Sequence, residues 1–402
     1  MGSIDVQVAI VGAGPSGTMA AQKIASTGLD AVIIEEHSDV GLPTHCAGLL
    51  SVDGVKRLKM EIPPKCVQNV VRGSKFYSPS GNFFLVKRQL KQAYVIDREM
   101  LDKSLAKKAL DSGANLLLNT KVLRTKRYGK RLLLSTDDDN EIRANVVIDA
   151  EGVRARLVRN MGLKPPERSM VLRALQFEII DTRNIDPDFV EIYLGRNVAP
   201  GFFAWIIPTG EDTARVGLAT RVMKDVTAHK LLQRFIRLPI VCKKFEKSKI
   251  KQKKAGLILT GGPIPRTYAD NFIVVGDAAG QVKPTTGGGV ITGGLCAQIA
   301  ATIAARAISS EDTSERYLRD YELRWKRILG WEFFAALWAR RCLNQLSDRQ
   351  LEKIFQIIKE KLIDAIEYYG DIDLQSRVLF RMLKNPKFVL TVLPSLIRAL
   401  IF

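Results

Sequence analysis

The sequence predicts an α/β protein: a Rossmann-like, doubly wound domain with an inserted β-rich domain and a C-terminal helical region. Three observations predict it. A strand, a glycine loop, a helix and a second strand fall within the first 36 residues. Two further buried-strand patterns, far apart along the chain, end in turns that pair glycine with an acid, at 146–152 and 271–277. Between these pieces lie runs of short, turn-broken strands, and from Ser314 onward nearly every segment has helical spacing. The length of 402 residues suits two or three domains, and 46% hydrophobic with 26% charged residues is globular composition.

The elements follow in order. Val6 to Val11 (VQVAIV) alternates and then runs apolar, as a buried strand does. Gly12 to Gly17 (GAGPSG) comes next, TMAAQKIAST then carries helical apolar spacing, and AVIIEE from Ala31 is a second strand. THCAGLLS, after Gly41 and Pro43, is a loop opening toward a helix. Residues 70–95 and 172–219 read as short strands broken by Gly, Pro, Asn and Asp. IDREMLDKSLAKKALDSG, from Ile96, is a helix ending at Gly113. RLLLSTD and VVIDAEG are strands leading to a turn at Gly152; NFIVVGDAAG, from Asn271, is another strand, followed by the long small-residue helix VITGGLCAQIAATIAARAI. The expected domains are 1–70, 96–165 and 266–305 for the doubly wound domain, 71–95 and 166–265 for the β-rich domain, and 306–402 for the helical region.

The loop Gly12-Ala13-Gly14-Pro15-Ser16-Gly17 places glycines where a dinucleotide loop needs them: for the tight turn, for approach of backbone to a pyrophosphate, and for close packing of helix on strand. The pyrophosphate then sits at a helix N-terminus, facing free N–H groups and the positive end of the helix dipole. Glu35, eighteen residues after Gly17 at a strand end, is placed to accept hydrogen bonds from an adenosine ribose; Glu36 is the competing, solvent-facing acid.

Other chemistry is argued against. Five cysteines (Cys46, Cys66, Cys242, Cys296, Cys342) stand at no metal-ligand spacing and are too scattered for a disulfide scaffold. Three histidines (His37, His45, His229) are few for a metal centre, so no metal is expected. Val6 stands where a myristoylation signal at Gly2 wants Ser or Thr, no signal peptide is visible, and no apolar run reaches the ~20 residues of a bilayer span. The chain therefore reads as cytoplasmic, or peripheral on the inner face of the cell membrane.

Charge points to an anionic partner. The net charge is +19, and residues 221–254 hold twelve Lys and Arg against two Asp and Glu. That segment includes LLQRFIRLPI, apolar enough to lie on a surface, and the tail KFVLTVLPSLIRALIF from Lys387 suits a cavity cap or a membrane interface. Nucleic acid is not expected, because no binding motif or interleaved aromatic platform accompanies the basic cluster.

GAGPSG, Glu35, Arg98 with Leu101 in DREMLDKSL, DAEG at 149–152 and VVGDAAG at 274–280 together resemble the flavoprotein group that includes aromatic hydroxylases and geranylgeranyl reductases. His45-Cys46-Ala47-Gly48 and Phe202 to Pro208 (FFAWIIP) resemble the geranylgeranyl reductases specifically. The resemblance covers roughly residues 1–300 and implies a glutathione-reductase-type FAD-binding domain with FAD as cofactor. It implies that Asp277 meets the ribityl chain, and that Pro284 to Gly294, with Gly289 and Val290, brings backbone N–H groups toward the flavin ring, where they stabilise the reduced form. The cofactor set is then Gly12, Gly14, Ser16, Gly17, Glu35, Cys46, Ala47, Gly48, Arg98, Val122, Asp277, Gly289 and Val290. Arg98 has an ordinary surface salt bridge as its plainer reading. Phe203, Trp205 and Pro208 would line the substrate cavity, with ordinary core packing as the alternative for the aromatics. Two departures from the group are Glu151-Gly152 in place of Asp-Gly, and Ala155 or Arg156 where Ser is usual.

These readings lead to an FAD-dependent reductase that saturates C=C bonds of geranylgeranyl chains in isoprenoid ether lipids. Cys46 is the expected proton donor, with a packing role as its alternative. A single dinucleotide fingerprint and the basic surface favour an acidic, ferredoxin-like electron carrier over NADPH. The competing readings are an FAD monooxygenase or halogenase of an aromatic compound, and an electron-transfer flavoprotein serving a membrane quinone.

Overall fold

The structure, a computed structural model, describes residues 3–222 and 226–401; Met1, Gly2, Met223 to Asp225 of the basic segment, and Phe402 lie outside the described residues. The chain divides into two compact units, residues 1–44, 98–170 and 259–334 forming one, and 45–97, 171–258 and 335–402 the other.

The first unit is built on an eight-stranded sheet. Its strands are β1 (Ser3–Val11), β2 (Ala31–Ile34), β3 (Asn115–Leu117), β4 (Val122–Tyr128), β5 (Arg131–Thr136), β6 (Glu141–Asp149), β7 (Tyr268–Ala269) and β8 (Phe272–Val274), in the order β7-β8-β6-β1-β2-β3 with β5 and β4 branching from β6. Neighbours β8, β6, β1, β2 and β3 run parallel, with Val8 opposite both Val146 and Ala31. Parallel strands need both faces covered. Helices α1 (Pro15–Ala25), α2 (Arg98–Asp111), α3 (Val290–Ser309) and α4 (Glu315–Trp325) belong to this unit, α1 packing on α2 and α3. The doubly wound expectation is met.

The small-residue helix α3 corrects one expectation. At 20 residues with a mean hydropathy of 1.4 it is long and apolar enough to cross a membrane, yet 61% of that stretch is buried within the protein. Its alanines and glycines explain both facts: they raise the hydropathy and let the helix pack closely.

The second unit carries a seven-stranded sheet in the order Lys249–Leu259, Val171–Ile180, Ala214–Thr220, Ala204–Pro208, Phe189–Tyr193, Gly73–Tyr77 and Phe83–Lys87, and a three-stranded sheet in which Ala93–Ile96 lies between Leu49–Ser51 and Val67–Val71. Helices of the C-terminal region add a core in which Phe84 packs with Leu346, Ile354, Phe355 and Phe388. The segment LLQRFIRLPI turns its apolar stripe inward: Leu231, Leu232 and Phe235 are buried with Phe177 and Tyr193 in the unit's own core, while Gln233, Arg234, Arg237 and Ile240 are exposed. The helix Ala228–Ile236 is amphipathic, and packing against its own sheet claims the apolar stripe.

Candidate active site

The glycine loop between β1 and α1 is fixed by contact. A Cβ on Gly12 would lie 2.4 Å from the Ala150 carbonyl oxygen, and one on Gly17 would lie 1.9 Å from the Gly12 oxygen, whereas Gly14 faces open space. Gly12 and Gly17 are therefore packing glycines, and Gly14 is where a ligand can approach the backbone. Helix α1 begins with Pro15 and has no side-chain cap, so its first N–H groups point outward. Glu35 is buried after β2; one carboxylate oxygen accepts the Ala13 N–H at 2.8 Å and the other accepts the His37 N–H at 3.1 Å. Glu36 is not free in solvent but ion-paired with Lys121 (2.7 Å) and Arg154 (3.4 Å).

Asp277 sits in a short helical turn, Gly276–Ala279, after β8. A Cβ on Gly289 would lie 2.8 Å from its Oδ1, so only glycine fits there. Among the described residues no donor is hydrogen-bonded to the Asp277 carboxylate. Burial pushes that carboxyl above the usual range, while the positive charge of Arg98 pulls it down. Arg98 itself makes a two-pronged ion pair with Asp102, at 3.0 and 2.9 Å, and both side chains are largely buried. The salt bridge at the start of the helix is therefore present, but largely buried rather than on the surface. Helix α3 starts at Val290 with Gly289 as an uncapped N-cap. Tyr321 in α4 holds this region from behind, donating to the Val274 carbonyl at 2.9 Å and accepting from Gln281, which in turn accepts the Gly276 N–H.

These features fit FAD. Two uncapped helix starts suit a diphosphate and an electron-rich ring, and an unshared carboxylate suits a polyol chain. Val122 differs from the rest of the set: its side chain is buried in the core with Val6, Leu134 and Ile142.

In the second unit, Cys46, Ala47 and Gly48 form a loop before Leu49–Ser51. Cys46 is half-buried, and its Sγ accepts the Gly48 N–H at 3.3 Å. Gly48 has φ +76°, and a Cβ there would lie 2.1 Å from Arg215 Nη1 and 2.5 Å from the Ile96 oxygen. Buried Arg215 clamps the loop, donating to Ala47 O (2.8 Å), Ile96 O (3.0 Å) and Gln68 Oε1 (2.6 Å). Sequence reasoning missed Arg215; its signal was one charged residue inside the apolar strand ARVGLAT.

Ala47 packs on the aromatic cluster that holds Phe202, Phe203 and Trp205. Phe202 and Phe203 stack at 4.1 Å, and Phe203 meets Trp205 edge-on at 6.1 Å. Register explains the indole's place. Gly217 pairs with Trp205 on one side and Gln176 on the other, so the ring crosses the glycine and its Nε1 donates to Gln176 Oε1 at 3.0 Å. Pro208 is buried at the end of this strand. The structure thus brings the Cys46 loop and the aromatic strand together within one unit.

Comparison with known proteins agrees with this arrangement. A family model described as lycopene cyclase protein matches residues 7–386. The digeranylgeranylglycerophospholipid reductase of Methanocaldococcus jannaschii is 33% identical over 364 residues, 90% of this chain and 92% of that one. The enzyme of the same name from Methanothrix thermoacetophila is 31% identical over 95% of this chain and 97% of that one. This chain belongs to the digeranylgeranylglycerophospholipid reductase family. Among solved structures, a geranylgeranyl bacteriochlorophyll reductase-like protein from Thermoplasma acidophilum superposes with a TM-score of 0.88 at 26% identity, over 98% of this chain and all of that one. A flavin-dependent brominase shares the fold, with a TM-score of 0.73 at 16% identity. Family membership extends across the helical C-terminal region, beyond the first 300 residues that carried the resemblance.

Proposed function

We propose that this protein is an FAD-dependent reductase that saturates C=C bonds in the geranylgeranyl chains of archaeal-type ether lipids. Full-length identity to reductases named for that lipid carries the reading. Gly12, Gly14, Ser16 and Gly17 would receive the diphosphate, Glu35 the ribose, Asp277 the ribityl hydroxyls, and Gly289 and Val290 the ring. Bound and reduced, FAD supplies a hydride.

The chain's own task is the rest. Phe203 and Trp205 give an apolar wall for an isoprenoid, and Pro208 and Gln176 hold that wall in place. Cys46 holds a proton on Sγ and delivers it to the other carbon of the double bond, leaving a thiolate that regains a proton from solvent. Arg215 aims the thiol by fixing the loop backbone. The protein is expected to carry one non-covalent FAD and, after dithionite reduction, to add two hydrogens per double bond, read by mass spectrometry of the lipid. Cys46→Ala should slow that reaction about a hundredfold without changing FAD content or dithionite reduction of the flavin. Wild-type turnover in the variant would leave Cys46 with packing alone.

An acidic, ferredoxin-like carrier would supply electrons, and the exposed Lys243, Lys247 and Lys251 support its docking. A peripheral location on an anionic membrane face is supported by the helix Pro386–Ile401, where Leu390, Leu393 and Ile397 are exposed at helical spacing.

A further inference from the structure

Residues 370–375 (GDIDLQ) join the helices Ile363–Tyr369 and Ser376–Leu383 of the second unit, with no helix or strand of their own. Side chains from residues 51–88 hold this strap at three points. Arg88 donates to the Gly370 carbonyl. Arg57 makes a two-pronged ion pair with Asp371, one contact at 3.3 Å, and both partners are part-buried. Ser51 donates to the buried Asp373 carboxylate, while its oxygen accepts the Gly54 N–H at 2.8 Å. Asp371 also folds the strap on itself: its Oδ1 accepts the backbone N–H groups of Asp373 (2.8 Å) and Leu374 (3.0 Å). Burial raises the Asp371 carboxyl, but the hydrogen bonds from Arg57 and from these N–H groups outweigh it and hold the group below the usual range.

What the strap presents is Ile372. The C-terminal helices dock through a different cluster, where Phe84 meets Leu346 and Phe355. Among the described residues, Ile372 is the member of 335–402 that packs on the aromatic cluster of Phe202, Phe203 and Trp205. Most of that cluster is buried, but Ala47, Leu49, Phe203 and Ile372 are only half-buried, so there its apolar surface is open to a ligand. Ala47 adjoins Cys46, and Leu49 begins the strand that ends at the Ser51 anchor. An apolar chain that touches Phe203 and presents a double bond to Cys46 therefore has Ile372 as its neighbour. The anchors fix Ile372 against a surface that the C-terminal helices do not need for their own packing.

We propose that Ile372 contacts the isoprenoid chain of the substrate and sets how tightly that chain is held, with Arg57 and Asp371 as the positioning residues that keep it in place. The chain's role as substrate rests on the reductase reading above. An apolar contact made equally before and during the reaction acts on binding, so its loss should appear in KM rather than kcat.

The test uses full-length, FAD-loaded protein. Binding of geranylgeranyl diphosphate is read by tryptophan fluorescence with the flavin oxidised, when no turnover occurs; kcat and KM are measured after dithionite reduction. Each carbon removed from an apolar contact costs about threefold, so Ile372→Val should weaken binding about threefold and Ile372→Ala about twentyfold, both through KM and with flavin content unchanged. The one-carbon change to valine keeps the test decisive should alanine disturb folding. Leu90→Ala, a truncation at an exposed residue, should leave affinity and KM within about twofold. Asp371→Asn keeps an oxygen for the Asp373 and Leu374 N–H groups but loses the charge that holds Arg57. It should weaken binding about threefold in the wild-type background and little in Ile372→Ala, because it acts through that side chain. Additive losses would overturn the positioning role. Unmoved affinity and KM in both Ile372→Val and Ile372→Ala would overturn the contact, whether or not the lipid is reduced. Wild-type protein that binds the diphosphate in an Ile372-dependent way yet reduces no double bond would overturn the reductase reading alone.

Discussion

Gly48→Ala is the sharpest probe of the Cys46 loop. Three costs add. A non-glycine residue at φ +76° loses about 1 kcal/mol. The new Cβ overlaps the Ile96 carbonyl, a backbone atom that cannot swing aside, and overpacking of that kind costs about 1–3 kcal/mol. It also displaces Arg215 Nη1, whose charge-assisted hydrogen bonds to Ala47 and Ile96 are worth about 1.5–3 kcal/mol when one is lost. Partial relaxation shares these terms, so a loss of about 3–5 kcal/mol in unfolding free energy is expected from urea titration. Gly113→Ala is the control. Its φ is +100° with nothing within 4 Å of the added atom, so only the dihedral part remains, about 1 kcal/mol. Cys46 should also become more reactive to a thiol reagent in Gly48→Ala, because its Sγ loses the fixed Gly48 N–H. Cys66, Cys296 and Cys342 are buried and contribute little background. Equal losses in the two variants would refute the idea that Arg215 and Ile96 hold the loop.

Asp277→Ala should weaken FAD retention about tenfold or more, read by fluorescence of released flavin, because the ribityl hydroxyls lose a charged acceptor. Asp149 is fully buried, and burial followed by the nearby Glu151 charge holds its carboxyl well above the usual range, so the folded state binds its proton more tightly than the unfolded chain does. Its stabilising effect is full below the unfolded value near pH 4 and is lost as pH rises toward the folded value; Asp149→Asn should flatten that fall in urea midpoints measured from pH 4 to 8, and an unchanged slope would discard the assignment. Replacing Lys243, Lys247 and Lys251 with Glu should slow flavin reduction by a ferredoxin-like carrier at low salt, with less effect at high salt; a rate indifferent to both, with lost binding to anionic vesicles, would give the patch to the membrane. Lys244 is left out because it pairs at 2.7 Å with Glu191, which is 1% exposed, and reversing it would strand a buried charge.

What could be read from the sequence was chemistry carried by neighbours along the chain. Gly12 and Gly17 serve one turn, and Asp277 lies twelve residues before the glycine that its carboxylate touches, so a short window holds both partners. Periodicity likewise gave the strands and the long helices, since it records which face is buried. It does not record against what. LLQRFIRLPI has a surface helix's pattern, and only the sheet beneath it shows that the apolar stripe faces inward. In the same way α3 has a span's composition because small residues suit both a bilayer and a tight helix contact.

The residues that sequence reading missed share a cause. Arg215 is 168 positions from Ala47, Arg340 is 139 from Gly201, and Gln176 meets Trp205 only through the register of three strands. Each is a polar side chain buried by tertiary contact, where an unmet hydrogen bond or charge would be costly, so each has a specific partner to satisfy. The division is physical. Backbone N–H groups at Gly14 and Gly289 offer the cofactor its contacts, and local glycine patterns encode them. Side chains such as Arg215 then set where a reactive atom like Cys46 Sγ stands, and only the fold brings those partners within reach.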